Sequence, residues 1–307
     1  MVREPTNCLD GKSVRNRILL NTLKHVIGRA STRRLLELHL TRYFTTVELD
    51  DGSVGACMSY YRLPDAVLSV AQDSLETQCK KNLSVVEHFN ALVGIICDFV
   101  RDGVQQHYIA YSLAASVASA LSVSAIHCGG DKDFHVLTQP PFGWADDAES
   151  GLVVGFGGLL DSLLAEPRIK AVHTIDLSYE QGRDRFEFGL ARLRQRFPTK
   201  KISISVQMEH DTDVRQFDFI SITGSTLCNG TLEYFLDNAR SDAIIVLQGQ
   251  SASMHPKIFF DSGINWVATT LKPRILTEMA RGDHSGEKLR TLLDGGLPQI
   301  FLTPNER

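Results

Sequence analysis

Hydroxyl, amide and glycine residues are concentrated at positions 223–230, TGSTLCNG, between an apolar stretch and an amphipathic one. The preceding FDFISI is typical of a buried strand, and the apolar residues that follow have helical spacing. Gly230 near the helix start and Glu233, as the acid of a capping box, account only for the end of the segment. Hydroxyls and backbone N–H groups beside the positive end of a helix favour a carboxylate, a phosphate or another anion. The predicted ligand-binding residues are Thr223, Gly224, Ser225, Thr226 and Asn229. The alternative is a polar turn that satisfies its own groups.

The next predicted strand ends in a similar segment, LQGQSASMHP. Gly249 and Ser251 are predicted to bind ligand, and Pro256 is expected to begin a short helix. Ligands of parallel sheets bind outside the carboxyl ends of the strands, so the two segments together predict a polar, concave site. One more polar turn is the alternative.

A glycine-rich loop, VVGFGGLL, follows an earlier predicted strand. Gly155, Gly157 and Gly158 permit close backbone approach, and the helix that follows could bind an anion at its N-terminus. Asp176 ends the next strand, where an acid that grips a ribose would lie, and these four residues are the predicted cofactor-binding set. Leu160 stands where the dinucleotide-binding fingerprint has its third glycine, so a tight turn that allows helix–sheet packing is the alternative.

Three side chains of metal-binding type accompany these loops: Cys228, His173 and His255. No local spacing connects them, so a structural role for each is the alternative. The first cofactor predicted is a divalent metal, followed by S-adenosylmethionine or NAD(P). The Gly-x-Ser-x-Gly, Walker-type and His-Glu-x-x-His motifs are absent from the sequence. Catalytic residues are therefore not predicted, and a lyase or transferase is favoured over a hydrolase if the protein is an enzyme.

The overall composition excludes several classes of partner. The chain has 307 residues, of which 43% are hydrophobic and 22% charged, with a net charge of -4, so neither nucleic acid nor an anionic membrane is an expected partner. A small-molecule or metal-chelate ligand is expected instead, and the sequence does not decide whether a homo-oligomer forms. The six cysteines are scattered without a Cys-x-x-Cys pair, and the polar N-terminus lacks the apolar core of a signal peptide. A cytoplasmic location is predicted.

The order of predicted elements indicates two domains with different arrangements of helices and strands. Residues 1–128 read as α+β: a helix over Ile18–Ile27, a hairpin around Asp51-Gly52, and helices after Pro64. The uncharged stretch Ile109–Ile126 is predicted to be a buried helix rather than a membrane span. Residues 129–150 are predicted to be a linker. Residues 151–307 alternate apolar strands with helices, which predicts a Rossmann-like parallel sheet and an α/β fold class overall.

The run ITGSTLCNGTLE, together with GQSASMHPKIFFDSGINWVATT, resembles the heavy-metal-chelation family, a domain of unknown function. Members typically carry Thr-Gly-(Ser/Thr)-Thr-Leu-x-Asn-Gly-Thr-Leu-Glu, which Thr223–Glu233 match, and a Gly-x-Ser loop, which Gly249–Ser251 match. The family's usual Gly-Pro-Ser is here Gly-Gln-Ser. The resemblance implies an N-terminal partner domain similar to that of enolase. In that partner an Asn-Ala-Leu is expected where this chain has Ser119-Ala120-Leu121.

The resemblance further implies a site in the cleft between the two domains that handles a metal or a metal-chelating small molecule. The leading prediction is therefore a cytoplasmic protein that binds a small anionic or metal-chelating ligand in that cleft. Two alternatives remain: a Rossmann enzyme that uses S-adenosylmethionine or a dinucleotide, and a non-catalytic metal-binding or delivery protein.

Overall fold

The structure is a computed structural model of the 307-residue chain. It describes residues 16–29, 32–59, 68, 72–73, 77, 84–85, 87, 103–206, 213–283, 285–294 and 297–305. The helices predicted shortly after Pro64 lie largely outside these residues.

The N-terminal half, residues 16–127, is built on a three-stranded antiparallel meander. Helix α1 (Arg17–Arg29) precedes strands β1 (Leu35–Leu40), β2 (Phe44–Leu49) and β3 (Val54–Met58), in the spatial order β1-β2-β3. The predicted helix near the N-terminus and the hairpin are both present, and Gly52 supplies the positive φ of the β2–β3 turn.

Helix α2 (Gly103–His127) lies against the meander and carries the long uncharged segment. Gly55 of β3 lies so close to it that a Cβ there would be 1.9 Å from the carbonyl oxygen of Ser116. Ser116 Oγ also donates a hydrogen bond to the carbonyl of Thr45. Among the described residues this is the one helix long and apolar enough to cross a membrane, and most of it is buried inside the protein. The prediction of a buried core helix agrees with this placement.

The C-terminal half, residues 129–305, contains an eight-stranded sheet in the order β4-β11-β10-β9-β8-β5-β6-β7. Its strands are β4 (Phe134–Leu137), β5 (Ser150–Val154), β6 (Ala171–Ile175), β7 (Lys201–Ser205), β8 (Phe219–Thr223), β9 (Ile244–Gln248), β10 (Trp266–Thr270) and β11 (Gln299–Pro304). Strands β5 to β10 are parallel and follow the doubly wound order, with the topological switch between β5 and β8. The predicted Rossmann-like sheet is confirmed.

Two strands were not predicted. Strand β11 is antiparallel to β10, and β4 pairs antiparallel with β11 at the edge of the sheet. Strand β4 lies within 129–150, so that part of the predicted linker belongs to the sheet. Its four residues are too few to show a strand pattern in sequence.

Seven described helices belong to the C-terminal half, and the last two of them pack against the small meander. They are α3 (Leu160–Ala165), α4 (Arg183–Arg196), α5 (Thr226–Asn229), α6 (Leu232–Asn238), α7 (Lys257–Asp261), α8 (Ile275–Ala280) and α9 (Glu287–Asp294). Phe186 and Leu190 of α4 are buried, as its predicted apolar face requires, and α7 follows Pro256 as predicted.

The two halves share one apolar core. It includes Leu113 and Val117 of α2 together with Leu227, Cys228 and Ala252 of the C-terminal half. A polar contact closes another part of the interface, where the buried Glu48 of β2 accepts hydrogen bonds from Arg274 Nε at 2.9 Å and from Thr277 Oγ1 at 2.7 Å. The carboxyl edge of the large sheet therefore faces the N-terminal half.

Candidate functional site

The loops after β5, β8 and β9 meet at the carboxyl edge of the sheet. A Cβ on Gly155 would lie 3.1 Å from Thr223, and Gly224 N donates to the carbonyl of Gln248 at 2.5 Å. Gly224 is also tightly packed, since a Cβ there would lie 2.6 Å from Ala252 N. The three loops singled out from the sequence are thus brought together by the strand order.

The glycine loop after β5 is held by the protein's own acceptors. Phe156 N donates to Asp176 Oδ2 at 2.9 Å, and Leu159 N donates to Gln248 Oε1 at 2.7 Å. The Gln248 amide fills the space where a side chain at Gly158 would stand. The Phe156 N–H is therefore bonded to the Asp176 carboxylate that was predicted to bind a ribose, and the Leu159 N–H is bonded to Gln248.

The hydroxyl-rich segment after β8 is also largely self-satisfied. Thr223 Oγ1 lies 2.9 Å from Ser225 Oγ, and Thr226 Oγ1 donates to the carbonyl of Thr223 at 2.7 Å. Asn229 Oδ1 accepts from both N and Oγ1 of Thr231. Ser225 and Thr226 are buried. These hydrogen bonds are the ones expected of a polar turn that satisfies its own groups, which was the alternative to a ligand-binding segment.

The predicted cap of the helix after this segment is wrong in detail. The segment contains the one-turn helix α5, whose left-handed C-cap is Gly230, and the N-cap of α6 is Thr231. Glu233 Oε1 accepts from the backbone N of Ile18 at 2.9 Å, so its carboxylate caps α1 instead. The reason is tertiary, because the unpaired N–H groups at the start of α1 pack against this side chain.

The loop after β9 connects the halves directly. Gly249 has a φ of +97° and its N–H donates to the carbonyl of Ala268 at 2.8 Å. Ser251 Oγ accepts from the backbone N of Met58, the last residue of β3, at 2.9 Å. Ser251 is buried, and its role in the structure is to join the small sheet to the large one.

Two cysteines from different halves are in contact beneath this junction. Sγ of Cys57 on β3 lies 2.8 Å from Sγ of Cys228 on α5, and neither residue is exposed to solvent. Burial raises the pKa of the Cys228 thiol, and contact with Cys57 raises it further, while hydrogen bonds from Ser112 and Ser251 lower it. Cys228 was a predicted metal ligand, but Cys57 was not, because it is one of six scattered cysteines with no local signature.

A buried lysine lies beside the cysteine pair. Lys272, 3% exposed, follows β10 and donates from Nζ to Gln250 Oε1 at 2.7 Å and to Thr270 Oγ1 at 3.2 Å. Burial lowers its pKa to about 7, and the charge of a Cys57 thiolate would act in the opposite direction. Lys272 was not predicted, because nothing in LKPR distinguishes a buried lysine from an exposed one.

The three predicted metal ligands do not form one group. His173 on β6 contacts Ser203 Oγ at 2.8 Å and Ser205 Oγ at 3.0 Å, both on the neighbouring strand β7. His255 instead lies in a cluster with His25 and Asp133. Cys228 is paired with Cys57. The strand order and the N-terminal half therefore place the three candidates in separate surroundings.

Comparison with known proteins agrees with the resemblance. Residues 194–287 match the model of a family described as "Putative heavy-metal chelation" (DUF364). No curated protein sequence matches the chain. A protein of unknown function from this family in Pyrococcus horikoshii is similar in structure, with a TM-score of 0.55 and 15% identity, covering 94% of this chain and all of that one.

A second protein of unknown function from the family, from Desulfitobacterium hafniense, has a TM-score of 0.52 and 12% identity, covering 93% of this chain and 98% of that one. A mandelate racemase/muconate lactonizing enzyme from Bordetella bronchiseptica matches at a TM-score of 0.32 with 10% identity, over 82% and 83% of the two chains. At that score it supports no conclusion, so the enolase-like character of the N-terminal half stays a prediction. The first two similarities support the two-part fold.

Proposed function

Residues 194–287 match the heavy-metal-chelation family, and on this premise we propose that the protein binds a soft heavy-metal ion between its two halves, at Cys57 and Cys228. The observation that carries the proposal is the contact of the two sulfur atoms at 2.8 Å. Thiolates are the protein ligands that soft metals prefer, so the donor set fits the metal that the family description implies.

The surroundings of the pair suit an ion better than a bulky chelate. Both cysteines are wholly buried, which leaves little room for a large organic ligand. Ser112 and Ser251 provide hydroxyl donors to sulfur, and Lys272 provides a nearby amine. The ion would reach the sulfurs through local separation of β3 from the loop after β9, where Met58 N and Ser251 Oγ are bonded.

Binding should release protons from the thiols. The pKa of Cys228 is raised, so this residue is protonated at neutral pH, whereas a metal ligand must be a thiolate. Metal affinity is therefore expected to increase from pH 6 to pH 8. A reducing compartment would keep both thiols available, so a cytoplasmic location is part of the proposal.

The other predicted ligand classes have less support. The anion-type groups of Thr223, Ser225 and Asn229 are bonded within the protein. The S-adenosylmethionine or dinucleotide alternative stays a prediction, but the Asp176 carboxylate that it requires is bonded to Phe156 and Ser178.

The test is titration of the reduced full-length protein with Cd²⁺, followed by calorimetry and by thiolate-to-metal absorption in the ultraviolet. Cys57→Ser and Cys228→Ser should each remove the absorption band and weaken binding by at least about tenfold. Cys128→Ser is the matched control, since Cys128 is an exposed free thiol. Retention of the band and of wild-type affinity in both Cys57→Ser and Cys228→Ser would rule the proposal out.

A further inference from the structure

A second cluster of metal-binding side chains lies away from the cysteine pair. His25 of α1, Asp133 of the loop before β4, and His255 of the loop before α7 each offer a ligand atom, and these atoms lie within 4.8 Å of one another. Three segments far apart in sequence meet here. The sequence analysis named only His255.

Two polar atoms of this cluster have no hydrogen-bond partner among the described residues. His25 Nε2 and Asp133 Oδ2 are buried and unpartnered among the described residues. Buried polar atoms are nearly always hydrogen-bonded, so such orphans call for an explanation, and a bound ion is one. Imidazole nitrogen and carboxylate oxygen, here within 4.8 Å of each other, are donor types found in transition-metal sites.

His255 also contacts a second carboxylate, that of Asp131. Asp131 Oδ2 lies 2.9 Å from His255 Nε2, and His255 N donates to Ser122 Oγ at 2.8 Å. The same nitrogen, His255 Nε2, lies 4.0 Å from Asp133 Oδ2, so Asp131 adds a second carboxylate oxygen beside the cluster.

Arg29 supplies the positive charge in this cluster. Its Nη2 lies 2.5 Å from Asp131 Oδ2, its Nη1 contacts His255 Nε2, and Nη1 is 3.7 Å from Asp133 Oδ2. The Arg29 side chain is 41% exposed, so it can turn out to solvent without breaking the core. The guanidinium thus occupies the side of the cluster to which an ion would bind.

We propose that His25, Asp133 and His255 bind a divalent transition-metal ion of the borderline class, such as Zn²⁺, Ni²⁺ or Co²⁺, and that Arg29 is the cation the metal displaces. Nitrogen and carboxylate ligands suit these ions, whereas the cysteine pair suits softer ones. The site is independent of the function proposed above.

The test uses Co²⁺ and the full-length protein. The expected signal is a visible cobalt absorption without a thiolate charge-transfer band, retained in Cys57→Ser and Cys228→Ser. His25→Ala and Asp133→Asn should weaken cobalt binding by at least about tenfold. The matched control is His127→Ala, at the exposed end of α2. Because these variants leave the cysteine pair intact, failure of one site is distinguishable from failure of the other.

Arg29→Gln gives an independent measurement. Removal of the competing charge should tighten cobalt binding. The proposal would be overturned if His25→Ala and Asp133→Asn, each shown to be folded by circular dichroism, bound Co²⁺ as the wild type does. It would also be overturned if Arg29→Gln weakened binding, because Arg29 would then support the site rather than compete for it.

Discussion

Cys57 and Cys228 are in contact through their sulfur atoms although 171 positions separate them in the chain. One comes from the small antiparallel sheet and the other from the turn of helix at the carboxyl end of β8. The contact therefore exists only when the two halves are packed together, which makes the cysteine pair a direct probe of the interface.

Alkylating reagents should modify the described cysteines of the native protein at different rates. Cys128 is exposed, whereas Cys57 and Cys228 are buried, and the pKa of Cys228 is raised. Because the thiolate is the reactive form, iodoacetamide should modify Cys128 much faster than the buried pair. Peptide mapping by mass spectrometry measures each rate. Modification of Cys57 as fast as that of Cys128 would contradict the packing of β3 against α5.

Lys272→Met should alter the pH dependence of stability. The pKa of Lys272 is lowered from 10.5 to about 7, so between these values the unfolded chain holds one proton that the folded chain does not. The free energy of unfolding contributed by this group therefore rises with pH across that window. The free energy of unfolding of the wild type minus that of Lys272→Met should increase from about pH 7 to about pH 9.5, as measured by urea unfolding. Lys257→Met, at a lysine whose side chain is 37% exposed, is the matched control.

Gly224→Ala tests the contact between the loops after β8 and β9. A Cβ at this position would lie 2.6 Å from Ala252 N and 2.9 Å from the carbonyl carbon of Ser251, both backbone atoms. Overpacking of this kind costs about 1–3 kcal/mol of unfolding free energy. Gly28→Ala on α1 has nothing within 4 Å and should be neutral or stabilising, since alanine favours helix by about 1 kcal/mol. Equal stability of the two variants in urea would show that the loops do not approach as described.

Gln248→Met tests how the glycine loop is held. The substitution keeps most of the buried volume but leaves Leu159 N without its acceptor. A buried donor without a partner costs about 1–3 kcal/mol, so the midpoint of urea unfolding should fall. Gln299→Met at an exposed position of β11 is the control and should leave the midpoint nearly unchanged. A similar midpoint for both variants would mean that Gln248 does not secure the loop.

The sequence by itself determined the elements of the C-terminal half. Continuous apolar strands such as IIVLQ and FISIT, alternating with helices, are sufficient to predict a parallel sheet, because burial on both faces requires that pattern. The loops after β5, β8 and β9 were located for the same reason. Strands β4 and β11, the antiparallel pair at one end of the sheet, were not predicted, since their place depends on partner strands rather than on their own periodicity.

Only the tertiary structure decided which side chains meet. Glu233 reads as the acid of its own helix cap, but it binds the start of α1, whose free N–H groups become its neighbours on folding. Cys57 and Lys272 carry no local signature. Folding places Cys57 against Cys228, and burial lowers the pKa of Lys272, and spacing in the sequence encodes neither. Local periodicity determines strands and helices, whereas the packing of the two halves determines the sites.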